Sequence, residues 1–120
     1  MIDKAHRFHG LGSLRFVYKH GQVIRGQMCS LKYVVNNRRD TYRVAVVVSR
    51  KVNKSAVVRN RIRRRIYELI RNEPATINKP VDLVFITHSD QLADIPSDKL
   101  RGILLNQLAS AKVISSEPHN

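Results

Sequence analysis

The chain has a single cysteine, Cys29, and only 9 acidic residues against 22 lysines and arginines. One thiol excludes an internal disulfide and any zinc site built on thiolates. Cys29 stands in an apolar run and reads as a small core residue, which suits a reducing cytoplasm. The first residues lack an apolar signal core, and no run approaches the ~18 residues of a membrane span. The expectation is a cytoplasmic protein that does not meet a membrane. The chain also has no Gly-rich phosphate loop, no nucleophile elbow, and no Cys or His pair at metal spacing. His6 and His9 lie three apart in a loose segment, and His20, His88 and His119 are scattered. A side-chain nuclease needs clustered carboxylates to hold metal, or a His pair for acid–base work. Neither pattern is present, so the chain reads as a binder rather than a catalyst. Internal repeats and low-complexity segments are missing too.

What is abundant is positive charge. The 120 residues suffice for one domain with one modest core, and 42% hydrophobic content supports folding. The net charge is +13, and the pI is near 10.8. Such a balance favours nucleic acid over an anionic membrane surface. The charge is also divided along the chain. Residues 1–72 hold 18 lysines and arginines against three acids, whereas residues 73–120 hold four against six. Blocks of like charge are interaction surfaces. The first part therefore binds, and the second builds and solubilises the fold.

The charge concentrates in residues 56–71, AVVRNRIRRRIYELIR. At helical spacing Val58, Ile62, Ile66, Leu69 and Ile70 share a core-facing stripe. Asn60, Arg64, Tyr67 and Arg71 fall near the opposite pole. Arg61 and Arg65 line one flank, and Arg59 and Arg63 the other edge. Arg59 and Arg65 border the stripe, where their methylene stems can cover core. Glu68 is the one acid among these arginines, so the helix repels itself unless it meets a polyanion. Guanidinium groups pair with phosphate in bidentate fashion, and each neutralised phosphate releases counterions. Asn60 adds a hydrogen-bonding group beside them.

The remaining elements follow from local pattern. Residues 14–20 predict a short helix capped by Ser13 and ended by Gly21, with Leu14, Val17 and Tyr18 on one face. Residues 27–35 predict a strand with Met28, Ser30 and Lys32 on one side and Cys29, Leu31 and Tyr33 on the other. Residues 36–40 form a polar turn. Residues 41–49 predict a second strand, apolar on both faces and hence central. The two strands read as an antiparallel hairpin. A basic loop, Arg50-Lys51-Val52-Asn53-Lys54-Ser55, leads to the arginine helix, which Ser55 caps and Pro74 stops. Residues 81–87 predict a third strand, and a last helix runs from residue 96 or 97 to about 111. Residues 115–120 read as a frayed tail. The arrangement is one sheet with helices packed on it, and the strands at 44–48 and 81–87 are expected to lie parallel.

Lys19-His20-Gly21 after a short helix, a strand ending Val46-Val47-Val48-Ser49-Arg50-Lys51, and then Ala56-Val57-Val58-Arg59-Asn60-Arg61-Ile62-Arg63-Arg64 closely resemble the protein subunit of bacterial ribonuclease P. The likeness spans about residues 7–110. It implies a single small α/β (α+β) domain in the order α-β-β-β-α-β-α, with an ordered core at about 7–112 and flexible ends at 1–6 and 115–120. It further implies a four-stranded mixed sheet with a left-handed crossover, against the usual hand. The implied partners are a catalytic RNA and precursor tRNA, with no protein partner required. The RNA is expected to perform the hydrolysis that frees the mature 5′ end of tRNA, with Mg2+ in the holoenzyme and no cofactor assigned to the protein.

Carried over by position, Arg59, Asn60, Arg61, Arg63 and Arg64 face catalytic RNA, with Arg50, Lys51, Lys54 and Arg71 beside them. Val17, Tyr18, Ser30 and Lys32 line a cleft for the single-stranded 5′ leader. Leu14 stands where the family commonly begins an aromatic pair, so stacking rests on Tyr18. Tyr67 occupies a position that is usually basic, and Arg65 one that is usually apolar. Other classes are weighed on the same residues. A structural RNA binder of ribosomal type shares the charge but has no leader cleft. A DNA-binding regulator lacks the helix-turn-helix pair. An autonomous protein nuclease lacks catalytic groups.

Overall fold

The computed structural model describes residues 11–36, 42–72, 77 and 80–113. The expected loose start at 1–6, the His6 and His9 pair, the turn centred on 37–40, the stop at Pro74 and the tail at 115–120 lie outside them.

Helix α1 spans Leu11–His20 and is followed by β1 (Gln22–Ile24) and β2 (Cys29–Val35). Strand β3 (Arg43–Val47) leads into α2 (Ala56–Arg71), and β4 (Val81–Thr87) follows. A short 3-10 turn, Asp90–Ala93, precedes α3 (Ser97–Ser110). Helix α1 begins three residues before the expected start, so Ser13 lies within it rather than capping it. Gly21 ends it as expected. The Gly21 amide donates to the Val17 carbonyl at 2.7 Å, and a Cβ at this position would lie 2.4 Å from that oxygen. Strand β1 escapes sequence reading because only Ile24 of its three residues is half-buried.

The sheet order is β1-β2-β4-β3. Strand β2 runs antiparallel to both β1 and β4, and β3 runs parallel to β4. The expected β2–β3 hairpin is therefore not formed, because β4 lies between the two strands. Strand β4 is the most continuously buried of the four, and only a central place satisfies both of its edges. Strand β3 is buried on both faces as expected, but it is an edge strand rather than a central one. The parallel pairing of β3 and β4 agrees with the sequence.

Alternation along the strands divides the core. Leu31, Phe85 and Val46 form one cross-strand row, and Tyr33, Leu83 and Val44 the next. These side chains pack with Ile62, Ile66 and Ile70 of α2 and Leu100, Leu104 and Leu108 of α3. Each fully buried isoleucine or leucine contributes about 1.5–3 kcal/mol. The other face carries Ser30, Lys32 and Val34 of β2, Val84 and Ile86 of β4, and Ala45 and Val47 of β3. Among the described residues only α1 covers this face. Val17 meets Ala45 and Val84 there, while Leu14, Val34, Val47 and Ile86 stay half-buried. At one end of the same face Arg43 and Asp82 make a buried bidentate ion pair, with both bonds at 2.9 Å.

Candidate nucleic-acid interface

Helix α2 begins as its sequence requires. The Ser55 hydroxyl accepts from the Val58 amide at 3.3 Å, satisfying one of the orphan donors of the first turn. No acid follows in that turn. The positive end of the helix dipole thus adds to the cations around it. Asn53 steadies the approach, accepting from the Ser55 amide at 2.8 Å and donating to Asp90 at 3.1 Å.

Burial sets the rotation of the helix. Ile62, Ile66 and Ile70 are buried, while Val58 and Leu69 are only half-buried. The core-facing centre is thereby displaced toward Ile66 and Ile70, and Tyr67 moves from the expected outer pole to a flank. Its hydroxyl accepts from the Val46 amide at 3.2 Å.

The arginines divide by what they touch. Arg59 donates to the carbonyls of Asn53 and Lys54, at 3.1 and 2.8 Å, and binds the basic loop to the helix. Arg65 donates to the carbonyls of Leu92 and Ile95, at 2.7 and 2.5 Å, fastening the 3-10 turn to α2. Arg63 donates to Asn60 at 2.6 Å and to the Val48 carbonyl at 3.4 Å. Arg61 lies 3.4 Å from Asp94, and Arg71 lies 3.5 Å from Glu68. Both pairs are exposed, and water and salt screen them, so phosphate can compete for either arginine. Arg64 is exposed, and its side chain bonds no other described residue.

Arg50, Lys51 and Lys54 are likewise exposed and without side-chain partners among the described residues. They line a shallow depression of about 480 Å³, and no acid among the described residues joins them. Unpaired cations of one sign around a concavity concentrate anions. Of the residues expected to meet RNA, Arg50, Lys51, Lys54 and Arg64 are thus free to do so. Asn60, Arg61, Arg63 and Arg71 hold weak or partial contacts, and Arg59 is committed to the loop.

The expected cleft lies on the α1 face of the sheet. The Lys32 ammonium sits 4.7 Å from the centre of the Tyr18 ring, a cation–π contact. Partial burial raises the Tyr18 phenol above its ordinary value. The half-buried Val34, Val47 and Ile86 form an apolar floor beside this pair. Ser30 lies deep in the row, where its hydroxyl bonds the His88 Nε2 at 2.8 Å. Val17 has no exposed surface and so supports the cleft from beneath rather than lining it. The floor and the basic loop are continuous, because the chain passes directly from Val47 at the end of β3 to Arg50 and Lys51.

Sequence reasoning missed His88, whose partner lies 58 positions earlier. It also missed the Arg43–Asp82 pair and the bond between Tyr67 and Val46. No local pattern signals such contacts. Among the described residues no helix is long and apolar enough to cross a membrane.

A basic loop at the end of a half-covered apolar sheet face, continued by an arginine helix on the other face, defines a small α+β protein with an anion-binding surface. Residues 2–112 match the protein family described as Ribonuclease P. The chain is 30% identical to the ribonuclease P protein component of a Pseudanabaena species, covering 95% of this chain and 97% of that one. It is 42% identical to the Clostridioides difficile protein component, covering 60% of this chain and 62% of the relative. The RNase P protein of Staphylococcus aureus superposes with a TM-score of 0.79 at 26% identity, over 92% of this chain and 98% of that chain. The Thermotoga maritima protein superposes with a TM-score of 0.77 at 25% identity, over 87% and 96%. The chain belongs to the ribonuclease P protein component family, an accessory subunit of a tRNA-processing ribonuclease.

Proposed function

We propose that α2 and the 50–54 loop dock on the catalytic RNA of ribonuclease P, and that the α1–sheet cleft holds the single-stranded 5′ leader of precursor tRNA. The observation that carries this reading is the adjacency of two unlike surfaces. Arg50, Lys51 and Lys54, just past the end of β3, offer charge without side-chain partners among the described residues, and Arg64 extends it along α2. Tyr18, Lys32 and the floor of Val34, Val47 and Ile86 offer a ring, one cation and apolar surface for an unpaired strand. Base–aromatic stacking tolerates any sequence, which suits a subunit that meets many different leaders.

In this reading the RNA carries out the hydrolysis, with Mg2+ in the holoenzyme. The protein contributes binding and orientation. Among its described residues no group of three His, Cys, Asp or Glu side chains is placed to hold a metal ion. The setting is the cytoplasm, and no further protein is required.

Reconstitution with the host's ribonuclease P RNA and precursor tRNA at low magnesium tests the proposal. The expected result is faster 5′ cleavage and tighter substrate binding than with RNA alone. Cleavage by the protein alone would place the chemistry in the wrong molecule. RNA binding with no gain in cleavage would favour a structural RNA binder of ribosomal type.

A further inference from the structure

Helix α1 carries an aromatic pair that the leader cleft does not use. Phe16 is 50% exposed, more than any other described phenylalanine or tyrosine. Its ring centre lies 4.7 Å from that of His20, one turn later, with the planes tilted by 43°. At helical spacing Val17 points to the sheet, Tyr18 lies on one flank and Phe16 with His20 on the other. Arg15 and Lys19 occupy the outer pole between them. Both are exposed, and neither side chain bonds another described residue. The helix contains no acid.

This order, ring then cations then ring, selects the partner. An apolar protein surface that covered Phe16 would also strip water from Arg15 and Lys19 without offering countercharge. An unpaired RNA strand meets both demands, with phosphates against the cations and bases against the rings. We propose that Phe16, with the tilted His20 ring beside it, is a second base-stacking platform for unpaired RNA, on the flank of α1 away from Tyr18 and Lys32. Single-stranded RNA then crosses the outside of α1 rather than ending in the cleft. The inference rests on the RNA-binding reading above.

The chain has no tryptophan, so Phe16→Trp installs a lone fluorescent reporter on an exposed site. An unstructured oligoribonucleotide should quench its emission, and an abasic strand of the same length should not. Anisotropy of the end-labelled oligonucleotide follows binding in parallel. In the same assay Phe16→Ala should weaken binding by about 5-fold, and Phe16→Tyr should restore it. Binding with unchanged emission, or equal quenching by the abasic strand, would overturn the platform and leave the RNA-binding reading standing. Emission already blue-shifted in the free protein would also overturn it, since the chain itself would then cover the ring. No oligonucleotide binding at low salt would remove both.

Discussion

The Tyr67 hydroxyl accepts a hydrogen bond from the Val46 amide across 3.2 Å. One turn earlier, Arg63 donates to the Val48 carbonyl. Val46 and Val48 turn these groups away from β4, toward the open edge of the sheet. An open edge invites pairing with another chain. Helix α2 closes it with side chains, and the same two bonds fix how its arginines are presented. Tyr67, where the resemblance led to the expectation of a basic residue, thus bonds the sheet instead.

Tyr67→Phe keeps the ring and removes the hydroxyl that accepts this bond. The expected loss is about 0.5–1.5 kcal/mol of stability, read from the urea midpoint. RNA affinity should change little. A large fall in affinity with unchanged stability would instead place Tyr67 on the RNA surface.

Arg64 and Arg65 are neighbours in sequence with different duties. Arg64→Ala should leave stability unaltered and weaken RNA binding, lowering the salt dependence by about 0.9 in log K against log salt for one lost phosphate contact. Arg65→Ala should cost about 1–3 kcal/mol, because the Leu92 and Ile95 carbonyls lose a charged donor. Its salt slope should stay at the parent value. Identical behaviour of the two variants would contradict this division.

Tyr18→Ala removes the ring beneath Lys32. Precursor tRNA with a long leader should bind more weakly by about 1–3 kcal/mol, and leaderless tRNA should be unaffected. Equal losses for both substrates would count against the cleft.

Burial pushes the Cys29 thiol up to about 11. Its Sγ lies 3.3 Å from the Gln107 Oε1, which the neutral thiol can serve as donor. A raised native value means that the unfolded chain loses this proton first. The stabilisation is whole below the ordinary thiol value and is lost as pH rises through the native value. The parent should therefore lose stability relative to Cys29→Ala between about pH 9 and pH 11, as read from paired urea melts. At about pH 8 the native thiol should react with a disulfide reagent roughly 100-fold more slowly than the denatured one. Equal labelling rates would show an accessible sulfur.

Much of the molecule is written locally. The span of α2, its Ser55 cap, the strand expected at 27–35 and found at 29–35, the strand at 81–87, and the last helix each follow from period, capping and apolar content within a dozen residues. So does the sign of the partner, since charge needs no fold to be counted. Strand β1 did not declare itself, because three mostly exposed residues carry no alternation. The β2–β3 hairpin failed for another reason: closeness in sequence favoured it, but burying both edges of β4 outweighed it.

The candidate site divides in the same way. By itself the sequence determined that this chain carries a self-repelling arginine helix after a basic loop, because residue type and helical spacing are properties of neighbours. Only the tertiary structure decided which arginines remain available. Arg59 and Arg65 were drawn to backbone carbonyls, Tyr67 to the edge of β3, and Val17 beneath the cleft. Those choices depend on groups brought near by the packing of α1 and α2 on opposite faces of one sheet. A backbone carbonyl 30 residues away competes for a guanidinium only once the fold has placed it within reach.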